Sequence, residues 1–331
     1  MPLVDIYVPA QGRGDELSPG LVNDARIIQA VLGKENAKLF AVPARCYREG
    51  KARNDQILRS MKTSSTAIFL EHVFESSEIM SYDRRVYVAN PEWLIPADEA
   101  RVRAGYVTEF WHKTRSGVHL LSAMFPGQAH SYVGFTSLDN FGDQPAPNYS
   151  KMGHFTGKAL GRRHTQELLD IWSENPSLPQ LSVHFHNTQI PDITDWLENK
   201  NIRVKLGMME EKHFSKEFAG HGVQLCTSST EGFGHHINEA RAIGALVVTL
   251  DAPPMNELVD ATSGVLVKFS ERLPHHCGFF YKSSKEQLLE AIGRVVAMSS
   301  EERVQLGESA RRRFLEERDA FSAALRAQFN L

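Results

Sequence analysis

Short apolar runs rich in β-branched and aromatic residues recur along this chain, separated by stretches whose apolar positions fall at helical spacing. In the first half these runs predict strands at Val4–Pro9, Lys38–Val42, Thr66–Leu70, Arg85–Val88, Val107–Trp111 and Tyr132–Phe135. Between the first two, Leu21 to Leu32 carries apolar residues at helical intervals, and Gly33 stands where a glycine ends a helix. In the second half strands are predicted at Met152–Thr156, Leu181–His186, Ile202–Leu206, Val223–Thr227, Ala245–Leu250 and Gly264–Phe269. Helices are predicted at His164–Trp172, Glu211–Phe218, His235–Ile243 and Lys285–Met298. Strand–helix alternation implies α/β architecture, with parallel sheets wrapped on both faces.

The rhythm breaks once. Ser137 to Ser150 (SLDNFGDQPAPNYS) is dense in Pro, Gly, Asp and Asn, the composition of a linker. Two α/β halves follow from it: residues 1–140, a linker at 141–150, and a second domain at 151–305, with 306–331 as a final helix. Open α/β sheets bind ligands at the carboxyl ends of their strands, so a cleft between the halves is the expected place for chemistry.

Composition narrows the class. The chain has 331 residues and a formal net charge of -3, which gives no reason to expect a nucleic-acid partner. Cys46, Cys226 and Cys277 are odd in number and far apart, which suits a reducing cytoplasm better than a disulfide framework or a zinc site. The N-terminus turns polar after a short apolar run and reads as a first strand. No stretch reaches the roughly 20 apolar residues of a membrane span, which leaves only peripheral contact with a membrane open.

The segment EGFGHHINE, Glu231 to Glu239, carries the most chemistry. It lies between a strand and a helix. Gly232 and Gly234 permit close backbone approach and positive φ. Amides at the helix start, from Phe233 to His235, make an anion site suited to a diphosphate. Carboxylates accept hydrogen bonds and never donate them, so Glu239, one turn into the helix, suits a ribose diol and Glu231 a sugar hydroxyl. By spacing alone the same residues read equally as a plain turn with exposed acids.

The wider run Ser228–Val259 (SSTEGFGHHINEARAIGALVVTLDAPPMNELV) resembles the donor-binding signature of family-4-type retaining glycosyltransferases of the GT-B fold. That family carries two Glu residues separated by seven others, an Ala-rich helix, a Gly and a buried strand. Met152–Trp172 (MGHFTGKALGRRHTQELLDIW) is similar to the block that opens the family's second domain, where two spaced cations hold the diphosphate. Lys158 and Arg163 have that spacing, with Arg162 as a competitor. The resemblance implies two Rossmann-like domains facing a central cleft, a UDP- or GDP-sugar donor and a hydroxyl acceptor. It also implies transfer with retention. The absence of an Asp-x-Asp signature points to metal-independent transfer and no required cofactor.

The first half resembles the family less closely. Its candidates are His72, at the end of FLEH, and Glu92, in VYVANPEWLIP, for the acceptor or the transferred sugar. Gly12, after the first strand, is a candidate for the donor phosphates. His184 and His186, two apart on a strand, face one side without a third ligand nearby and read as structural. His275–His276 read as loop. Two rivals remain at this stage: transfer to a nucleic-acid base, and a non-catalytic module that only binds nucleotide sugars.

Overall fold

The computed structural model describes residues 3–11, 16–43, 46, 51–59, 61–139, 146–157, 160–186, 196 and 199–331. The chain forms two compact units. Unit 1 comprises residues 1–138, 274–278 and 317–331, and unit 2 comprises residues 139–273 and 279–316.

Unit 1 is built on one sheet. Its strands are β1 (Val4–Gln11), β2 (Glu16–Leu17), β3 (Ala37–Val42), β4 (Thr66–Leu70), β5 (Arg84–Val88), β6 (Glu109–His112) and β7 (Ala129–Tyr132). The parallel order is β3-β1-β4-β5-β6-β7, with β2 added antiparallel at the end of β1. The sequence TAIFL of β4 is buried along its whole length, as a strand covered on both faces requires. On one face Tyr7 stacks on Phe69 at 5.5 Å, and Phe74 sets its edge against both rings. Asp5, buried in this core, accepts from the amides of Thr63 and Ser64 and from the Tyr82 hydroxyl, which satisfies its carboxylate.

Unit 2 repeats the architecture with β8 (Asn148–Phe155), β9 (Leu181–Phe185), β10 (Ile202–Leu206), β11 (His221–Leu225), β12 (Leu246–Leu250) and β13 (Gly264–Val267). The order is β10-β9-β8-β11-β12-β13, all parallel. The chain steps outward from β8 to β10, returns, and steps outward again from β11 to β13. Strands β8 and β11 therefore flank a topological switch point. A two-stranded hairpin, β14 (Glu271–His275) and β15 (Gly278–Lys282), follows. The helix Lys285–Ala297 then starts on a reciprocal cap: Ser284 accepts from the Gln287 amide and the Gln287 side chain accepts from the Ser284 amide. Ser284→Ala should lower stability by about 1 kcal/mol, read as a shift in the denaturation midpoint.

Three local readings need correction. The last two strands of unit 1 lie at Glu109–His112 and Ala129–Tyr132, displaced from the sequence expectation. The edge strand AHSY has no buried residue, whereas Val133 and Phe135 are buried in the segment after it, so apolarity marks the wrong residues. Asn148–Ser150, read as linker, begin β8 because the Asn148 amide bonds to the Gly220 carbonyl. His275 ends a strand, and His276 turns the hairpin at φ 48°.

Candidate functional site

Two loops leave the carboxyl ends of the switch-point strands of unit 2: Thr156–His164 after β8 and Cys226–Gly234 after β11. Hydrogen bonds join them. Thr227 donates its hydroxyl to the Arg163 carbonyl at 2.6 Å, and the Ser229 amide donates to the Arg162 carbonyl at 2.7 Å. His164, in the left-handed region at φ 50°, accepts from the Ser283 amide at Nε2, which leaves the proton on Nδ1 to reach the Thr227 carbonyl at 2.7 Å. Beneath them His154 donates to the Leu225 carbonyl and accepts from Thr165. Burial, with the Arg163 charge, lowers its pKa to about 4 against the Leu225 bond, so this ring stays neutral.

This scaffold aims Arg163 at Glu231. Arg163 Nη1 donates to the Phe155 carbonyl at 3.3 Å, and Nη2 stands 3.8 Å from Glu231 Oε1. Both side chains keep part of their surface open, so the pair remains accessible to a ligand. His236 approaches the same carboxylate oxygen with Nδ1 at 3.5 Å and places Nε2 3.2 Å from Ser228 Oγ. Burial, followed by the Arg163 charge, holds His236 well below the usual histidine value. A neutral ring carries one proton, and a carboxylate accepts only, so Nδ1–H faces Glu231 and Ser228 donates to Nε2.

The helix His235–Ala242 starts at Gly234, whose φ of 101° lies in the left-handed region and which brings no side-chain cap. A Cβ there would lie 3.2 Å from Ile237 and Leu258, so packing and conformation both call for glycine. Gly232 is not in the positive-φ region, contrary to the sequence reading. Phe233 is buried with its ring 5.3 Å from that of His235, so only its backbone is offered to the turn. Glu239 sits in a desolvated position: burial raises its pKa, against the opposing charges of His235 and Arg163. The same burial, with Glu231 and Glu239 nearby, pushes the Cys226 thiol up to about 12 despite Arg163, which leaves it unreactive.

In unit 1, β4 is followed by Glu71, a non-glycine residue at φ 64° whose side chain accepts from Asn90 at 3.1 Å. His72 follows, with Nδ1 2.8 Å from Asp98 and Nε2 3.7 Å from Glu71. Burial disfavours its charged form, yet the Asp98 hydrogen bond and the Asp98 and Glu71 charges outweigh burial and Arg101, so its pKa is raised. Glu92 lies buried in the short turn Pro91–Trp93, against Gly278 of the hairpin tip.

The fold thus gathers Arg163, Glu231, Gly234, His235 and Glu239 in unit 2, while His72 and Glu92 both belong to unit 1. Lys158 and Gly12 lie outside the described residues. The Arg162 guanidinium stands 5.7 Å from the Phe280 ring centroid. From the sequence, His236 counts for its backbone amide more than for its ring, and Ser228 and Asp98 carry no role. Only the His-His pair hinted at the first, and nothing local marks the other two.

No protein-family model matches the sequence, and no curated protein matches it. Solved structures do. Sucrose-phosphate synthase from Thermosynechococcus elongatus aligns with a TM-score of 0.71 at 10% identity, over 100% of this chain and 98% of that one. Anabaena HepE in complex with UDP-glucose aligns with a TM-score of 0.68 at 11% identity, over 99% of each chain.

The fold is GT-B.

The GtfA/B complex gives a TM-score of 0.58 at 16% identity, and this chain covers 59% of that one while 83% of it is aligned. Within the GT-B fold the switch point of unit 2, with Arg163 and Glu231 on its two loops, is where strand order opens a crevice. Among the described residues no helix is long and apolar enough to cross a membrane.

Proposed function

We propose that the chain is a retaining, metal-independent glycosyltransferase of the family-4 type, moving a hexose from a UDP- or GDP-sugar to a hydroxyl acceptor in the cytoplasm. The observation that carries this reading is the convergence of Arg163, Glu231 and the first turn of His235–Ala242 at the carboxyl ends of β8 and β11. A cation and a row of amides suit a diphosphate, and acids on either side of the turn suit the hydroxyls beyond it. HepE, of the same fold, is solved with UDP-glucose, which supports a nucleotide-sugar donor.

In this mechanism the bond between the anomeric carbon and the diphosphate oxygen breaks while the acceptor oxygen bonds to the same face of that carbon. Negative charge grows on the departing diphosphate, where Arg163 and the helix-start amides stabilise it. The acceptor proton passes to the leaving phosphate oxygen, so no enzyme nucleophile is needed. Lys158 joins Arg163 in this role by spacing, while Gly12, His72 and Glu92 of unit 1 serve the donor phosphates, acceptor and transferred sugar. Glu231, steadied by His236, holds the sugar, and Glu239 holds the ribose.

The test is a panel of nucleotide sugars. A ligand at 100 times its dissociation constant stabilises the fold by ~2.7 kcal/mol, which a melting curve registers. Consumption of the same donor with a hydroxyl acceptor supports the enzyme; tight binding without turnover or hydrolysis replaces it with a binding module. Glu239→Ala should weaken donor affinity by roughly 1.5–3 kcal/mol per lost bond, measured by titration calorimetry. Because its pKa is raised, donor affinity through Glu239 should strengthen as pH rises and the carboxylate ionises.

A further inference from the structure

Parallel sheets are normally covered on both faces. In unit 2 the helix Glu211–Ala219 covers one end of a sheet face. Its Phe214 and Phe218 pack on Phe155 of β8 with centroids 5.7 and 4.9 Å away, and Phe214 lies 6.0 Å from His184 of β9. One cross-strand row further toward the strand starts, the side chains change character. Arg203 of β10 pairs with Ser182 of β9, and Ser182 with Gly153 of β8. The Gly153 gap is closed by the His221 ring, 3.0 Å from where a Cβ would stand. Ser182, Arg203 and His221 of this row line a cavity of about 1020 Å³.

The cavity is basic. Lys151, Arg203, Lys205 and Lys216 line it against two carboxylates, Glu210 and Glu217. Glu217 is spent on Lys205, at 2.7 Å, and Glu210 lies 3.6 Å from His213. Among the described residues Lys151, Arg203 and Lys216 form no ion pair. Two titrating groups register the resulting field: His221 is lowered by burial and then by Lys151 and Lys205, and Glu217 is lowered by Lys205 and Arg203 in spite of burial. Between the cations lie Ser182 and Gln180, groups that bond hydroxyls. Among the described residues the lining contains no Phe, Tyr or Trp, and its only rings are those of His213 and His221.

We propose that this cavity is a second binding site, separate from the donor turn, for a carboxylated oligosaccharide. Cations interleaved with amide and hydroxyl groups match a sugar chain in which carboxylates alternate with hydroxyls. A single-stranded nucleic acid would call for Phe, Tyr or Trp platforms, and the described lining offers none. The choice of a glycan rests on the glycosyltransferase reading; the cationic cavity stands on its own geometry.

The experiment uses the full chain with three probes: oligogalacturonate, neutral oligomaltose, and single-stranded DNA of similar charge. Oligogalacturonate should bind at low salt and weaken at about 0.15 M ionic strength, as screening of exposed charges requires. The double variant Lys151→Ser, Arg203→Ser changes two exposed side chains and should reduce that affinity roughly tenfold or more. Its melting shift with UDP-glucose should be unchanged. Equal binding of oligomaltose, tighter binding of DNA, or unaltered oligogalacturonate affinity in the variant each overturns the proposal. Loss of donor binding and turnover with oligogalacturonate binding intact overturns only the glycosyltransferase reading.

Discussion

Arg163→Ala is expected to lower turnover with a nucleotide-sugar donor by roughly 100- to 1000-fold, the loss of about 2.7–4 kcal/mol that follows removal of one preorganised group facing developing charge. The guanidinium is anchored by the Phe155 carbonyl, and the Thr227 hydroxyl and Ser229 amide fix its loop, so in the proposed reaction it would meet the diphosphate without reorganising. Because the charge it answers grows only as the donor bond breaks, kcat should fall further than donor affinity. Arg163→Lys keeps the charge but loses the planar fork, and should recover part of the rate. Steady-state kinetics of the three proteins decide the matter; an alanine variant within fivefold of the parent removes Arg163 from the chemistry. The substitution also removes a charge that now opposes the raised pKa of Glu239, so donor binding should become more sensitive to acid.

Acidification from pH 7.5 to 5 should destabilise both units. His112 in unit 1 and His154 in unit 2 are almost fully buried, and each has a pKa lowered to about 4, by burial first and, for His112, by His130 as well. In the unfolded chain both titrate near the ordinary value of about 6.5. The unfolded state therefore binds protons that the folded state refuses. Their contribution to stability is complete above pH 6.5 and is lost as pH falls from 6.5 towards 4. At pH 5 the linkage amounts to roughly 2 kcal/mol for each histidine. Denaturant midpoints measured at several pH values should fall over this window, and His154→Gln should flatten the fall for unit 2. A flat profile between pH 6.5 and 5 in the parent protein would falsify the neutral, buried state of both rings.

Much of the fold is legible locally. β4 and β12 are TAIFL and LVVTL, buried at every residue, and continuous apolar runs of that length flanked by polar turns permit little else. Gly33 ends its helix at φ 93°, as its place after the apolar stripe implied. Edges are less legible, because a strand such as AHSY is held by its ladder to β6 and by no apolar face of its own. The hairpin Glu271–Lys282 escaped for the same reason: its first strand is almost wholly exposed.

The candidate site divides in the same way. A turn with glycine at 234 and acids at 231 and 239 is a relation over eight residues, which helix geometry converts directly into position. Adjacent arginines cannot be told apart by spacing. The left-handed turn at His164, locked by Thr227 and Ser283 from 63 and 119 residues away, accompanies an Arg163 directed at Glu231 and an Arg162 directed at Phe280. His72 likewise takes its raised pKa from Asp98, 26 positions on. The amino-acid order alone determined the α/β alternation, the acid–glycine turn and the places where cations were available. Which cation faces the acid, which rings stay neutral and which strand residues line the basic cavity were decided only by tertiary structure, because burial and hydrogen-bond partners come from segments the local pattern does not connect.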